Sequence, residues 1–500
     1  MYISRLSEQL ISELDKKNIR YCHWKSNEHL LEGLNGITDL DILVNKEDKN
    51  LFWKILNELG FKKVISQPYQ TYVGVEDWLG FCEKTGVMLH LHIHYELVTG
   101  TKYVKEFMLP WNKYVLDNIC IDEVSKMKII NPNIELIILL IRISIKAKFR
   151  TILKSKILKN NAYSNDIEKE LEYLFKRIDK EYINKNLKEM FSEESVLALK
   201  LEEIIIKEKL TVNDILKLKR LIKKELKESK KYNDLEIVLK YLSICIKIKL
   251  GAVKERLGFN IIRRKRFETG GCAITFVGCD GAGKTTMIED TYKWIKWKID
   301  VHELYLGSGD NVKNPILKNL NKFIRKTSKS KKKEKEKEKI TKIKSNFSVK
   351  LFLKSMLFMY IAKDKKRNVH KLIKLKQLGS IVITDRYPQI QFVGINDGPC
   401  IRSHVVKYNS NKYFEKLALR EERIYKDMVR VSPDIVIKLI VKPDIAIKRK
   451  PEHTYEQLEK KVEIISKLDF VNSKVYEVDA SQSIEKVSLD IRKIIWENIK

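Results

Sequence analysis

The sequence predicts an α/β protein of several domains, and three observations indicate this class. Its 500 residues exceed one hydrophobic core, because a domain averages roughly 150 residues. The last part of the chain alternates short apolar runs with helical patterns, which is typical of a mostly parallel sheet. Residues 132–266 carry apolar side chains at spacings of three and four, which predicts helices. We therefore expect an N-terminal α+β domain (1–120), a helical connecting region (121–266) and a C-terminal α/β domain (267–500).

A glycine-rich motif stands near the start of the C-terminal domain. Residues 278–285, GCDGAGKT, fit G-x-x-x-x-G-K-[ST], the loop that cradles phosphates in P-loop proteins. Its glycines let backbone N–H groups face phosphate oxygens, Lys284 offers a cation for the β- and γ-phosphates, and Thr285 offers a hydroxyl for Mg²⁺. A buried strand before the loop and an amphipathic helix after it complete the context. The sequence therefore predicts an ATP and Mg²⁺ site at Gly278, Asp280, Gly281, Ala282, Gly283, Lys284, Thr285 and Thr286.

A second buried strand, 381–384, ends in Asp385 and Arg386. Open α/β sheets place ligand groups at the carboxyl ends of their strands. The carboxylate of Asp385 could accept a proton or orient Mg²⁺, and Arg386 offers a bidentate fork for an acceptor phosphate. A basic segment at 448–450 could close over transferring phosphates and neutralise their charge.

These stretches, GCDGAGKTT, the strand ending DRY, PDIVIKLIVKPDIAIKRK and VDASQS, resemble the thymidylate kinase branch of P-loop nucleoside monophosphate kinases. The resemblance covers 271–500. It implies that Asp280, Arg386 and Tyr387 contact the acceptor, that Arg449 is the lid arginine, and that Ser481 and Gln482 border the adenine. The catalytic set that it implies is Lys284, Asp385, Arg386 and Arg449.

The N-terminal domain carries two groups of candidate metal ligands. Asp39 and Asp41 alternate in DLDILV and so share one strand face, where paired carboxylates suit a divalent cation. His90, His92 and His94 alternate in MLHLHIH, where imidazoles suit a transition metal. Two surface aspartates and a polar strand face remain the alternative interpretation. If a metal binds, the histidine strand is expected opposite the aspartates across a cleft.

The order helix, strand, Lys25-Ser26, helix and DLDILV resembles the nucleotidyltransferase superfamily with a polymerase-β-like core. His94 matches the histidine of that family, whereas His92 stands where its third acidic residue is expected. The resemblance therefore implies weak or absent nucleotidyl transfer with Mg²⁺. The whole chain is similar to bacterial fusions of such a domain with a thymidylate-kinase-like one, which often serve surface-polysaccharide functions.

Together these patterns predict phosphoryl transfer from ATP, with Mg²⁺, to a nucleoside monophosphate of dTMP type or to a related phosphorylated or glycan acceptor. The alternative is a nucleotide-dependent switch or assembly module that hydrolyses ATP slowly and has no acceptor. An acceptor screen separates the two hypotheses, because the switch leaves no phosphorylated product.

Composition limits the partners of the chain. The formal net charge is +32, but lysine is spread over most segments, so we expect no specific nucleic-acid partner. The seven cysteines form no C-x-x-C pair, and no apolar run suits a signal peptide or a transmembrane helix, so a cytoplasmic protein is expected. Residues 325–344 alternate lysine with glutamate and predict a flexible insertion. A homodimer is compatible with the sequence.

Overall fold

The computed structural model describes residues 3–147, 164–257, 261–307, 349–395, 397–407, 411–451 and 454–499. The chain divides into two compact units, Met1–Glu268 and Thr269–Lys500. The insertion expected at 325–344 lies outside the described residues. Mixed α/β structure with a parallel sheet, as the sequence predicts, is confirmed.

In the first unit, eight described strands form one mixed sheet in the order β10-β3-β4-β5-β2-β1-β9-β8. Strands β2 and β5 are parallel neighbours at its centre, with Asp41 paired to His92. Two further strands, β6 and β7, pair with each other. The strands are β1 (Tyr21–His23), β2 (Asp39–Val44), β3 (Lys62–Ile65), β4 (Val75–Phe81), β5 (Met88–His94), β6 (Leu97–Thr99), β7 (Phe107–Leu109), β8 (Ile119–Ile121), β9 (Lys128–Ile130) and β10 (Arg266–Phe267).

The helices of the first unit cover the sheet and extend its core. Within the connecting region expected at 121–266, residues 128–130 form β9, which pairs with β1 and buries Ile130. Its helices belong to the first unit. The described helices are α1 (Arg5–Lys16), α2 (Leu30–Leu34), α3 (Lys49–Glu58), α4 (Asn112–Asp117), α5 (Pro132–Lys146), α6 (Asn165–Phe175), α7 (Lys180–Met190), α8 (Val196–Lys207), α9 (Val212–Glu225) and α10 (Asp234–Arg256).

Helix α5 lies in an apolar cluster of this unit. Pro132 occupies its first turn, where a missing N–H costs nothing, and the Asn131 side chain caps the backbone N–H of Asn133. Every residue from 133 to 145 is buried, so this helix packs on all sides. Two of the buried residues, Glu135 and Arg142, are charged and therefore need partners inside the protein.

In the second unit, five parallel strands form a sheet in the order β12-β13-β11-β14-β15. Strand β11 is its centre and is buried along its whole length. The strands are β11 (Cys272–Gly278), β12 (Val301–Tyr305), β13 (Ile381–Asp385), β14 (Ile435–Ile440) and β15 (Lys474–Asp479). The described helices are α11 (Lys284–Lys296), α12 (Val349–Gln377), α13 (Lys412–Val429), α14 (Pro443–Arg449), α15 (Tyr455–Lys467) and α16 (Ile484–Asn498).

Within the described ranges, the model contains no helix whose length and apolar character would let it cross a membrane.

Truncation of Leu140 tests the core around α5. Leu140 is 0% exposed, so Leu140→Ala removes buried apolar contacts and should lower the free energy of unfolding by about 2–5 kcal/mol. Urea denaturation followed by circular dichroism measures the change. The matched control is Leu199→Ala on α8, a side chain that is 62% exposed and should cost under about 1 kcal/mol. Equal losses in the two variants would contradict this packing.

Candidate functional site

The glycine-rich loop leaves the carboxyl end of β11 and turns directly into α11. Gly281 and Gly283 have φ values of 86° and 82°, a left-handed conformation that favours glycine. A Cβ atom on Gly281 would lie 2.6 Å from the carbonyl oxygen of Ala446. The loop therefore has the backbone that the motif predicts, with its helix N-terminus at Lys284.

Lys284 is buried, and its side chain bonds to the backbone of the loop. Its Nζ donates to the carbonyl oxygens of Gly278, at 2.9 Å, and Cys279, at 2.8 Å. Desolvation by burial and then the charge of Arg386 lower the pKa of the Lys284 ammonium to about 8. A phosphate close to Nζ would favour its charged form.

One cavity of about 370 Å³ collects most of the predicted residues of the second unit. The pairing of Phe276 with Asp385 across β11 and β13 brings the second strand end beside the glycine-rich loop. The cavity is therefore built where the carboxyl ends of two parallel strands meet. It is lined by Asp280, Gly281, Gly283, Lys284, Thr285, Thr286, Tyr305, Asp385, Arg386, Arg449 and Lys450.

The oxygen atoms of this cavity fit Mg²⁺. Asp385 Oδ1 is buried and has no hydrogen-bond partner among the described residues, although buried polar atoms are normally satisfied. Burial raises the pKa of this carboxyl, which a nearby cation would oppose. Thr285, whose side chain carries a hydroxyl, lines the same cavity. Carboxylate and hydroxyl oxygens are the hard ligands that Mg²⁺ takes.

A charged network links the glycine-rich loop to the opposite side of the cavity. Arg386 donates to Asp280 Oδ1 at 3.1 Å and to Asp397 Oδ2 at 3.4 Å, while Lys461 pairs with Asp280 Oδ2. Although burial acts against it, Lys461 and Arg386 hold the pKa of Asp280 well below its ordinary value. The φ of Arg386 is 68°, an uncommon conformation for a residue other than glycine. The backbone thus turns this guanidinium toward the loop.

Arg449 lines the cavity, whereas Ser481, Gln482, Ala282 and Tyr387 are not among its lining residues. Arg449 donates to the carbonyl oxygens of Gly281, at 3.4 Å, and Ala480, at 3.1 Å, which brings the segment of Ser481 and Gln482 to the loop. Both of those side chains bond to Asp479. Ala282, a residue of the loop itself, is buried. Tyr387 is also buried, and its hydroxyl donates to the carbonyl oxygen of Val431 instead of lining the cavity.

The aspartates and histidines of the first unit lie side by side, not across a cleft as expected, because β2 and β5 pair directly. Asp41 Oδ1 lies 2.8 Å from Lys25 Nζ and 2.8 Å from His92 Nδ1. Asp39 Oδ1 lies 2.8 Å from His90 Nδ1 instead. Burial acts to raise the pKa of Asp41, but Lys25, His92 and His94 together hold it well below its ordinary value. Ser26, expected beside them, donates to Glu170 Oε1 at 3.1 Å.

Ligand atoms of Asp41, His92 and His94 lie within 4.8 Å of one another, so they are close enough to share a metal ion. Burial, followed by the charge of His92, lowers the pKa of His94 to about 3, which keeps this imidazole neutral. A cation on this set would have to displace the ammonium of Lys25 from Asp41. The mixed donor set suits a transition metal better than Mg²⁺.

An acidic cluster lies against the turn after β1. Glu28, Glu135 and Glu170 place carboxylate oxygens within 4.8 Å of one another. Asn27 donates to Glu135 from its backbone N–H at 3.2 Å and from Nδ2 at 2.7 Å. Arg142 Nη1 lies 3.6 Å from Glu170. Burial raises the pKa values of Glu28 and Glu135 to about 7, so part of this cluster is protonated near neutral pH.

Sequence reasoning missed Asp397 and Lys461 in the second unit and Glu135 in the first. Asp397 and Lys461 lie outside any local motif and reach Arg386 and Asp280 only through the fold. The sequence did offer one signal for Glu135, a charged residue inside the otherwise apolar run 134–141.

Comparison with known proteins shows relatives that bind ATP. An uncharacterized ATP-binding protein of Escherichia coli, YghR, is 30% identical over 229 residues, which span 44% of this chain and 86% of YghR. A second, the uncharacterized ATP-binding protein YghS of Escherichia coli, is 25% identical over 222 residues, which span 43% of this chain and 88% of YghS. No protein-family model matches the chain.

The buried parallel strand, the glycine-rich loop and the helix that follows it give the second unit a P-loop. More particularly, the chain belongs to the family of ATP-binding proteins that includes YghR.

The acidic cluster predicts a pH dependence of stability. The folded pKa of Glu135 is about 7 and its unfolded pKa is about 4.3. The protonated Glu135 carboxyl therefore contributes fully to the free energy of unfolding below the unfolded pKa. This contribution is lost as the pH rises through the folded pKa. Glu135→Gln should be more stable relative to the native chain at pH 8 than at pH 5, by up to about 3 kcal/mol.

Urea denaturation at the two pH values measures this difference. The control is Glu172→Gln on the exposed face of α6, which should give the same small change at both pH values. A Glu135→Gln effect that does not depend on pH would contradict the raised pKa.

Proposed function

We propose that the second unit transfers the γ-phosphoryl group of ATP, with Mg²⁺, to a nucleoside monophosphate of dTMP type or to a related phosphorylated or glycan acceptor. The observation that supports this most is the network of Arg386 with Asp280 and Asp397, facing the glycine-rich loop. ATP binding and slow hydrolysis do not require a half-buried arginine on that side. An acceptor phosphate does, because a guanidinium binds it with two parallel hydrogen bonds.

Each residue of the cavity has a part in this proposal. Lys284 and the loop N–H groups hold the β- and γ-phosphates, while Thr285 and Asp385 hold Mg²⁺, which neutralises phosphate charge when bound. Arg386 positions the acceptor, and Arg449 and Lys450 approach the transferring group. Asp280, already bonded to Arg386, is placed to accept a hydrogen bond from an acceptor hydroxyl.

The reaction breaks the bond between the γ-phosphorus and the oxygen that bridges it to the β-phosphate. A bond forms from the acceptor oxygen to the γ-phosphorus, and ADP leaves with the bridging oxygen. A phosphate acceptor brings its oxygen already ionised, whereas a hydroxyl acceptor releases its proton to solvent or to a carboxylate. Positioning and charge neutralisation are therefore the main contributions of the protein.

Removal of the loop lysine tests ATP use. Lys284→Ala deletes the ammonium nearest the phosphates and should lower ATP turnover by about a hundredfold or more. Turnover is measured as ADP release, and circular dichroism checks the fold. The control is Lys293→Ala on the exposed face of α11, which pairs with Glu289 and should leave turnover unchanged. Unchanged turnover in Lys284→Ala would exclude this site as the place of reaction.

A change of Arg386 separates transfer from simple hydrolysis. Arg386→Lys keeps the charge but loses the bidentate fork, so acceptor phosphorylation should fall about a hundredfold while ATP affinity stays within about twofold. Labelled ATP is supplied with dTMP, dUMP and sugar phosphates, and labelled products are separated. Arg402→Lys, at an exposed pair with Glu422, is the matched control. Hydrolysis without any labelled acceptor would favour a nucleotide-dependent switch over a kinase.

A further inference from the structure

Helix α10 (Asp234–Arg256) carries a row of apolar side chains that its own unit leaves in water. The helix has 23 residues, yet none of its described side chains is buried. The preceding helix, α9, in contrast buries Ile215, Leu218 and Ile222. Helices in proteins gain most of their stability by packing an apolar face, so a long helix without a buried face is unusual.

The exposed residues form one straight stripe. At about 100° per residue, they lie within about 80° of one another around the helix axis. Each of them is between 50% and 71% exposed. Residues 235, 246 and 257 are eleven positions apart, and eleven residues make about three turns, so the row stays on one side of the helix. The stripe consists of Leu235, Leu239, Leu242, Ile246, Leu250, Val253 and Leu257.

The opposite side of α10 faces its own unit. Ile237, Ile244 and Ile248, about half a turn from the stripe, are only partly exposed. The ring of Tyr241 stacks near that of Tyr103, with 6.5 Å between the ring centroids. The unit therefore holds the helix by one side and leaves the stripe open to another surface.

The spacing of the stripe reads the same in both directions. From Leu235 to Leu257, successive members are four, three, four, four, three and four residues apart, with Ile246 at the centre. A twofold axis at Ile246 would therefore place every member of the stripe opposite another member on an antiparallel second copy. Leu242, for example, would face Leu250. Twofold interfaces need a surface that is complementary to itself in this way.

The charges of α10 favour an antiparallel second copy over other partners. Its first turn is acidic, with Asp234 and Glu236, and its last turn is basic, with Lys254 and Arg256. Glu236 and Lys254 are about five turns apart and so lie on the same side of the helix. Antiparallel pairing brings the acidic end of each copy against the basic end of the other, whereas parallel pairing brings like charges together. An anionic lipid surface would repel the acidic turn.

The lysines along α10 can stay in water in such a pair. Lys240 and Lys247 lie about 100° or more around the helix from the centre of the stripe. Lys249 lies at the edge of the stripe, where its long aliphatic part can cover apolar surface while the ammonium reaches solvent. These three ammonium groups therefore remain outside the contact.

We propose that α10 forms a homodimer interface, in which the stripe packs antiparallel against the stripe of a second copy of this chain. Ile246 of each copy lies on the twofold axis, and the leucines around it interdigitate. Pairing removes the aliphatic side chains of both stripes from water, which is the main driving force of association between proteins. The stripe shares no residue with the cavity at the glycine-rich loop.

Sedimentation velocity of the full chain tests the proposal. At about 1–50 µM the native chain should form dimers in a concentration-dependent equilibrium. Leu242→Glu combined with Ile246→Glu should raise the dimer dissociation constant about a hundredfold or more, because each copy would bury two carboxylates against leucines. Circular dichroism checks that the variant keeps its fold. The matched control is Leu199→Glu on α8, a similarly exposed leucine outside the stripe, which should stay dimeric.

Cysteine cross-linking tests the direction and register of the pair, in a chain that also carries Cys245→Ser. Ile246→Cys should form a disulfide with its own copy under mild oxidation, because both lie on the twofold axis. Leu235→Cys alone should not, because antiparallel pairing separates the two copies of this position by about 33 Å along the helices. Leu235→Cys combined with Leu257→Cys should cross-link again. Equal cross-linking of both single variants would indicate parallel pairing and overturn the proposal.

Four further results would overturn it. Two are a native chain that stays monomeric at every concentration and a dimer that persists in the double glutamate variant. The third is a monomer that binds vesicles of phosphatidylglycerol and loses this binding in the double variant, which would assign the stripe to a lipid surface. The fourth is slower reaction of Ile246→Cys than of Leu199→Cys with a maleimide in the dilute monomer, which would show that one chain covers its own stripe. None of these measurements depends on phosphoryl transfer by the second unit.

Discussion

The hydrogen-bonded ladder between β11 and β13 is the constraint on which the nucleotide site depends. It pairs Phe276 with Asp385, and the N–H of Arg386 then donates to the carbonyl oxygen of Phe276 at 2.9 Å. This bond turns the chain just after the strand and gives Arg386 its positive φ. The carboxylate and the guanidinium therefore face the glycine-rich loop through backbone geometry, before any side-chain contact is made. In a parallel sheet all carboxyl ends of the strands lie on the same side. Residues that follow different strands therefore come together only on that side.

Charge is distributed unevenly within each unit, and this is more informative than the net charge of the chain. In the second unit, Arg386 and Lys461 are held by Asp280, so the cations have partners that an incoming phosphate could replace. In the first unit, Asp41 and Asp77 are paired with Lys25 and Lys265, whereas the carboxylates of Glu28, Glu135 and Glu170 lie close to one another.

The sequence could predict those features that depend on local spacing. The strand, glycine-rich loop and helix around Lys284 follow from a fixed motif, and the shared face of Asp39 and Asp41 follows from strand alternation. Pairing between distant segments could not be predicted this way. The direct contact of β2 with β5 and the approach of Lys461 to Asp280 depend on tertiary structure. With 98 lysines and arginines in the chain, no single lysine such as Lys461 stands out by composition.

The bonds from Lys284 to the carbonyl oxygens of Gly278 and Cys279 have a further consequence. They close the loop into a ring that the chain itself maintains, so folding rather than ligand binding bears the entropy of ordering it. A preorganised loop of this kind recognises the phosphate chain, which all nucleoside triphosphates share. Discrimination among bases must then come from a different part of the unit. Arg449 ties the segment after β15 to the loop through Ala480, and we propose that this short segment contacts the base.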